Sequence, residues 1–569
     1  RWVWTDGGFG QGTGDLIMTC DYTLWYTIPD ATAQAAHRAF PKGNPYMTMR
    51  DVIGPIFANA DFVDLYRHRG PPAHAPARLA LVLVMMQIEN LSDADAAEAV
   101  RARIDWKYAL ALDLDDPGLD ASILVDFRHR LLQHGAEERL LTILLDTLVD
   151  AEMLRIRGRQ RTDSTHVLAN IRTLTRLTLV AETMRHALNT LSTADPDWLW
   201  NHLDPAWGER YTRRVEEYRL PKDQETRTVL VTTIGQDGYA LLTALDAPTS
   251  PDTLRELPAI QTLRLVWAQQ YYGPDDVRWR TQPDLPPHAE VITSPYDVEA
   301  RYATKRETHW TGYTVHLTET CDEDTPHLIT NVETTLATTN DVCMTDTIHI
   351  HLAERRLLPA EHLLDSGYMA ADHLVTSQQT HAIDLVGPVL ADTSWQARQA
   401  DGLDVSQFAI EWDAQQVICP AGHTSVRWTP GHDKQGDGQA VIAIQFHPDD
   451  CTDCRLRARC TQAKTGPRTM KLRPREQHVA LHPARQRQVT AAFKKLYAPR
   501  AGIEGTLSQG MRAYGLRRTK YVGRAKTHLH HILIAVAMNI VRAVAWIWEH
   551  PRRTTRLSPF ARLLAATPG

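Results

Sequence analysis

The sequence predicts an α/β protein built from several unlike parts, and three observations lead there. Stretches with strand character, "RGRQRTDSTHVLA" (157–169), "HWTGYTVHLTET" (309–320) and "EHLLDSGY" (361–368), are separated by helical text. Residues 33–155 show apolar positions recurring every three and four residues, the period of an amphipathic helix. Residues 389–475 change character again, with short strands, glycines and four cysteines. A length of 569 residues allows several domains, each with its own core, and 43% hydrophobic with 23% charged residues is ordinary for a globular protein.

Taken in order, residues 1–32 read as an irregular, Gly-rich arm with no secretory signal pattern. The helical N-terminal domain, 33–155, contains two capped helices. Ser92 caps the first in "NLSDADAAEAVRARIDW"; Asp120 caps the second in "LDASILVDFRHRLLQHG", and Gly135 stops it. A tight connection would make the pair a helix-turn-helix presenting Arg128, His129 and Arg130 to DNA; a plain helical bundle fits the same pattern. Residues 156–171 are the first strand of the core. Residues 172–295 are mostly helical and rich in Trp, and read as an insertion, because strand text resumes only afterwards. Those tryptophans read as core, with an exposed one able to stack on a base. The core continues over 296–388. There "HWTGYTVHLTET" and "HLITNVETTLA" form a hairpin across a polar turn, and a helix "TDTIHIHLAERRLL" leads to a short strand. A Cys-rich β insertion occupies 389–475, a helical C-terminal part of the core 476–550, and a tail 551–569. The apolar runs 79–88 and 531–548 read as buried helices: the first is short for a bilayer, and the second contains Asn539 and Arg542. The expectation is a cytoplasmic protein without a membrane span.

Charge is distributed unevenly. The whole chain carries 62 Lys and Arg against 68 Asp and Glu, yet Arg455 to Lys526 holds nineteen Lys and Arg against two acids, Glu476 and Glu504. Such a stretch suits a polyanion, since phosphate contacts supply most sequence-independent affinity for DNA. Glu504 therefore stands out. So do Asp163 and Asp365, at strand ends, where open α/β sheets place their sites. Three carboxylates from distant segments on a basic surface are what two hard divalent cations, Mg²⁺ or Mn²⁺, require. Two such ions about 3.5–4 Å apart support in-line displacement at phosphorus without a side-chain nucleophile. Cys419, Cys451, Cys454 and Cys460, the last three spaced C-x2-C-x5-C, suit a tetrahedral structural Zn²⁺, with His423 or His447 able to replace one ligand. A redox-active pair is the alternative, given Arg455 and Arg457 beside the thiols.

The segments "RTDSTHVLA", "HLLDSGY" and "YAPRAGIEGTLSQGMRAYGLRRTKYVG" resemble the three acidic motifs of bacterial insertion-sequence DDE transposases, closest to the insertion-sequence-1182 family. The resemblance runs from about Phe40 to near Trp548. It implies a ribonuclease-H-like catalytic core with Asp163, Asp365 and Glu504 as metal ligands. It maps a Tyr-Arg-Glu-Lys signature onto Tyr497, Arg500 and Glu504; the last basic position falls on Met511, with Arg512 adjacent. Tyr497, Arg500, Arg512, Arg517, Arg518 and Lys520 are the expected DNA contacts. Thr314, where relatives usually carry Lys, and "ATTNDV" depart from the family pattern. The implied function is binding of terminal inverted repeats, then metal-dependent cleavage and strand transfer by a homodimer in a synaptic complex. The implied setting is the bacterial cytoplasm, associated with the nucleoid. A DNA-binding relic that no longer cuts, or a two-metal nuclease, shares these residues.

Overall fold

A computed structural model describes residues 27–67, 74–433 and 438–549. The expected arm lies outside the described residues up to 26, and helix Asp30–Ala39 begins within its last positions. The expected tail, 551–569, lies wholly outside them.

Six strands form the central sheet: β1 (Arg159–Leu168), β2 (Arg301–Lys305), β3 (Thr308–Thr320), β4 (Ile329–Leu336), β5 (Glu361–Leu363) and β6 (Asp384–Val386). β1 is antiparallel to β3 on one side and parallel to β5 on the other, and β6 continues in parallel beyond β5. β2 and β4 share the far edge of β3, β2 along its first residues and β4 along the rest. Thr-rich text can line a buried sheet here because its hydroxyls bond to one another. Thr162 Oγ1 lies 2.7 Å from Thr318 Oγ1, and Thr330 Oγ1 donates to Gln160 Oε1 at 2.7 Å. Gly312, where β3 parts from β1, has φ +154°, and a Cβ there would stand 2.1 Å from the Val167 carbonyl oxygen. Only glycine permits that approach.

A layer of histidines lies under β1. His362 Nε2 is 2.7 Å from Thr162 Oγ1, and His362 Nδ1 is 2.9 Å from His349 Nε2; His349 Nδ1 faces Ser377 Oγ at 3.3 Å. Burial, reinforced by the nearby His381 and His373, pushes His349 down to about 3. Burial likewise holds His362 well below its ordinary value.

One hydrophobic core joins the sheet, the N-terminal helices and the long helix Arg524–Ile547. That helix alone, among the described residues, is long and apolar enough to cross a membrane, but 72% of its most apolar window is buried within the protein. Asn539 docks it: the Ile329 N–H donates to Asn539 Oδ1 at 2.7 Å, and Asn539 Nδ2 donates to the Ile329 carbonyl at 2.8 Å. Ser92 and Asp120 cap their helices as expected. The helix-turn-helix expectation meets a different arrangement, because helix Ile104–Ala109 and a further loop separate Asp93–Ala102 from Ala121–Gln133. Arg128 is buried on Asp93 in a two-point ion pair at 2.7 and 2.6 Å, and its guanidinium lies over the Tyr521 ring. It braces the bundle against the C-terminal segment instead of facing outward.

The two insertions have cores of their own. Helices Arg176–Ala194, Gln224–Asp246 and Pro258–Gln270 pack around Trp198, Trp207 and Trp267, whereas Trp200 is 77% exposed. The Cys-rich insertion holds a hairpin, β7 (Ala409–Glu411) and β8 (Gln416–Ile418). It also holds a three-stranded antiparallel sheet of β9 (Arg427–His432), β10 (Ala440–Gln445) and β11 (Thr469–Leu472) around Phe408, Ile444 and Phe446.

Two stability predictions follow from this packing. Asn539→Ala leaves a buried N–H and carbonyl of Ile329 without partners and should lower unfolding free energy by on the order of 3 kcal/mol in denaturant titrations. The depressed histidines bind protons more tightly when unfolded. Their contribution is therefore complete above the unfolded value near 6.5 and lost as pH falls from there toward about 3. His349→Gln keeps an amide donor and acceptor there without titrating. Between pH 7.5 and 5 it should lose about 2 kcal/mol less stability than wild type, in denaturant titrations at both pH values.

Candidate active site

The sheet register places two of the carboxylates side by side. Arg159, Gln160 and Arg161 on β1 pair with Glu361, His362 and Leu363 on β5, and the same offset carried two residues further lands on Asp163 and Asp365. The Asp365 carboxylate is fixed by the Gly367 N–H, which donates to Oδ1 at 2.8 Å; the Ser164 N–H donates to Asp163 Oδ1 at 2.8 Å.

The third carboxylate arrives on helix Ile503–Ala513, whose inner face buries Ile503, Thr506, Leu507 and Gly510 and leaves Glu504 72% exposed. Its docking depends on Arg161. This buried guanidinium donates to Glu319 Oε1 from Nε at 2.8 Å and also bonds to the Pro499 carbonyl oxygen, in the turn preceding the helix. Gly502 is required there, since a Cβ would lie 2.1 Å from Arg161 Nη1. From the far side, Arg542 donates to Glu319 Oε2 at 2.8 Å, and Thr506 Oγ1 donates to the same oxygen at 2.5 Å.

With the turn held this way, Arg500 stands among all three carboxylates. Its Nη2 lies 2.9 Å from Asp163 Oδ2 and 3.5 Å from Asp365 Oδ2, and its Nη1 lies 3.7 Å from Glu504 Oε1. Its Nε is buried without a hydrogen-bond partner. Burial raises the Asp163 carboxyl above its ordinary value, with Asp365 adding to the rise; the Arg500 charge opposes it without cancelling it. Among the described residues, no three His, Cys, Asp or Glu side chains stand as a group able to hold a metal ion as placed. The carboxylates nevertheless already surround one cation, so their chemistry fits a cationic guest.

Several residues of the site were not foreseen from sequence. Asp341, within the atypical "ATTNDV", accepts from Ser164 Oγ at 2.9 Å and Lys305 Nζ at 3.1 Å, and lies 3.8 Å from His316 Nδ1. His316, pushed down to about 4 by burial, shares a 2.6 Å hydrogen bond with the Tyr368 hydroxyl, which burial holds well above its ordinary value. A Cβ on Gly367 would fall 3.0 Å from Asp365 Oδ1 and 3.4 Å from Asp341 Oδ2, so Asp341 borders the same crevice. Its sequence signal was an acid just beyond a strand, the criterion that singled out Asp163 and Asp365. Thr314 is buried in β3, paired with His166 and Thr335.

The expected DNA contacts divide into braced and free-facing groups. Tyr497 is half-buried and stacked on Phe493, with burial raising its hydroxyl. Arg517 donates from Nε to Thr165 Oγ1 at 2.7 Å, while Arg512, Arg518 and Lys520 are exposed. Arg161, Asp163 and Thr165 alternate along one face of β1, and the C-terminal segment meets each in turn.

The four cysteines line one small cavity, of about 20 Å³, together with His423 and Asp450. Backbone N–H groups of His423 and Arg468 donate to Cys419 Sγ at 3.4 Å and Cys451 Sγ at 3.5 Å. Burial pushes the Cys460 thiol up. Thiols are donors of the type a metal ion takes, although as placed no three of them stand as a group able to hold one. His447 caps helix Pro448–Thr452 and does not line the cavity.

Comparison with known proteins bears on this geometry. Residues 418–544, containing the four cysteines and Glu504, match the family model described as a transposase DDE domain. Residues 34–130, within the helical N-terminal segment, match the model described as a transposase domain (DUF772). Among curated proteins, none matches the chain. Asp163 and Asp365 lie outside both matched segments and enter through the geometry. Together the two matches support a DDE transposase of an insertion sequence, an enzyme whose partner is DNA.

Proposed function

We propose that this chain binds the terminal inverted repeats of an insertion sequence of the 1182-like type and catalyses divalent-metal-dependent cleavage and strand transfer, with Asp163, Asp365 and Glu504 as its catalytic carboxylates. The observation that carries the reading is their convergence on the single Arg500 guanidinium, from positions 163, 365 and 504. The sheet supports a ribonuclease-H-like core: three parallel strands, β1, β5 and β6, continued by the antiparallel strands β3 and β4, with Asp163 midway along β1 and Asp365 just past the end of β5.

Asp163, Asp365 and Glu504 would hold Mg²⁺ or Mn²⁺. Two bound ions supply activation of the attacking oxygen and stabilisation of the leaving oxygen at phosphorus. The protein's own part is positional. Asp163 and Asp365 are fixed by backbone N–H groups, and Asp341 with Ser164, His316 and Tyr368 supports them from below. Arg500 cannot remain at the centre of three carboxylates that bind metal. A phosphate, which accepts two parallel N–H bonds, is the partner that suits its displaced guanidinium. Metal loading and DNA grip are thereby coupled through one side chain. Tyr497, Arg512, Arg517, Arg518 and Lys520 extend the contact along the backbone, with two subunits acting on paired ends in the nucleoid.

The test is Mg²⁺-dependent cleavage of DNA carrying the element's own ends. Wild type should cut at the ends and join them to target DNA, and Glu504→Gln should bind the ends equally but lose cleavage by at least about 10³-fold. Arg500→Ala separates the two roles. By calorimetry without DNA it should bind Mg²⁺ about tenfold more tightly than wild type, because no guanidinium competes, yet it should bind end DNA more weakly. End-specific binding with cleavage by neither wild type nor variant would establish a DNA-binding relic, and cleavage without joining would establish a nuclease.

The second part of the proposal is a structural Zn²⁺ on Cys419, Cys451, Cys454 and Cys460. Cys454→Ser should lose one zinc per chain in native mass spectrometry and lower the Tm, whereas the exposed Cys343→Ser should retain both. Equal metal content in the two variants would remove zinc from these thiols.

A further inference from the structure

A groove of about 1020 Å³ opens beside the carboxylates and runs between the sheet and the Cys-rich insertion. At its near end stand Ser366 and Gly367, which follow Asp365, and Val342, which follows Asp341. Its far wall is β11 with Arg473, and helix Arg475–Gln488 forms another side. Four Arg or Lys residues line it, Arg468, Lys471, Arg473 and Arg485, against two acids, Asp392 and Asp404. Leu390 and Val489 lie on the same groove and are 73% and 75% exposed.

We propose that this groove carries a single DNA strand to or from the carboxylates. The inference rests on the transposase reading and adds a path to it. The mixture of groups chooses a single strand over a duplex. Cations along a groove match phosphates in either case, but a duplex keeps its base faces stacked inside. Exposed aliphatic side chains such as Leu390 and Val489 gain cover only from unstacked bases. The imidazoles of His478 and His482, also on the groove, add stacking surfaces of the kind single strands use.

The partners these cations now have are ones a phosphate can replace. Arg473 bonds to the neutral amide of Gln439, and Arg485 donates from Nε to the Leu390 carbonyl at 3.0 Å. Lys471 pairs with Asp433 at 2.8 Å with its own side chain 55% exposed, which leaves it screened and weakly held. Arg468 lines both the groove and the cysteine cavity, and its N–H bond to Cys451 Sγ ties the groove wall to the thiols. The Cys-rich insertion is on this account the outer wall of a strand path, held in shape by its cysteines.

The experiment compares two DNAs with full-length protein by fluorescence anisotropy: a blunt duplex end, and the same end with a single-stranded tail of about eight nucleotides. Wild type should prefer the tailed DNA. Lys471→Glu combined with Arg473→Glu should weaken tailed binding by roughly tenfold or more and lower its salt slope by about two, with blunt affinity within about twofold. Leu390→Glu, at an exposed position that the fold does not use, should weaken tailed binding selectively as well. Unchanged tailed binding in both variants, or equal loss on both DNAs, overturns the groove. A wild-type protein that cleaves ends yet shows no preference for the tail overturns the groove and leaves the carboxylate site standing. A wild type that neither binds nor cleaves overturns the transposase reading, and the groove with it.

Discussion

The buried carboxylate of Glu319 is the interaction on which the rest of this structure depends. It is fully enclosed, yet it is satisfied on both oxygens by Arg161 from β1, and by Arg542 and Thr506 from two helices of the C-terminal segment. Burial is the largest influence on it and pushes its carboxyl upward, but Arg542 and Arg161 outweigh that and bring it below the ordinary range. A buried ion cluster of this kind adds little net stability over a well-packed apolar one, while removing one partner costs about 3–5 kcal/mol. Its value lies in specification. Arg161, the cross-strand partner of Glu319, also meets the Pro499 carbonyl with its guanidinium, and that contact sets the turn carrying Arg500 and Glu504 against β1.

From that constraint the electrostatics of the crevice follow. Asp163 and Asp365 are brought together by strand register, and Glu504 by the docked helix, so three like charges would repel in a half-desolvated space. The structure offsets this with Arg500 and leaves a residue of the penalty visible in the raised Asp163 carboxyl. Asp341 adds a fourth acid but brings Lys305 as its own counter-charge, with Ser164 and His316 around it. An assembly whose negative charge exceeds its resident positive charge is one that favours further cations.

Local text made the order of elements legible. β1, the β3–β4 pair and β5 stand where alternating Thr, Val and aromatic residues placed them, and Ser92 and Asp120 cap the helices they begin. The three carboxylates stood out one at a time, Glu504 as a lone Glu in a basic run and Asp365 as a strand-end acid; Asp163, read as a strand-end acid too, lies midway along β1. What the sequence hid was partnership across hundreds of residues. Arg128 was a DNA contact only if its two capped helices formed a helix-turn-helix and not a plain bundle, and only the fold shows Asp93 and Tyr521 absorbing it. Asp341 went unread within "ATTNDV", since Lys305 and Ser164 are 36 and 177 positions away. Arg161 and Glu319 carried no signal at all, because a buried ion pair reads in sequence as two ordinary surface charges.

The topology also explains where the insertions sit. β1, β5 and β6 are parallel, so their C-terminal ends lie at one end of the sheet, the end where such sheets form their crevice. The helical insertion leaves the chain after β1 and the Cys-rich insertion after β6, so both depart from the end that holds Asp163 and Asp365. Each has its own core, so neither has to share the sheet's packing to fold. Material added at those two points does not disturb the register that aligns the carboxylates, yet it is obliged to rise beside them. A basic groove between the sheet and one insertion, opening next to Gly367, is then a consequence of where the parallel strands end.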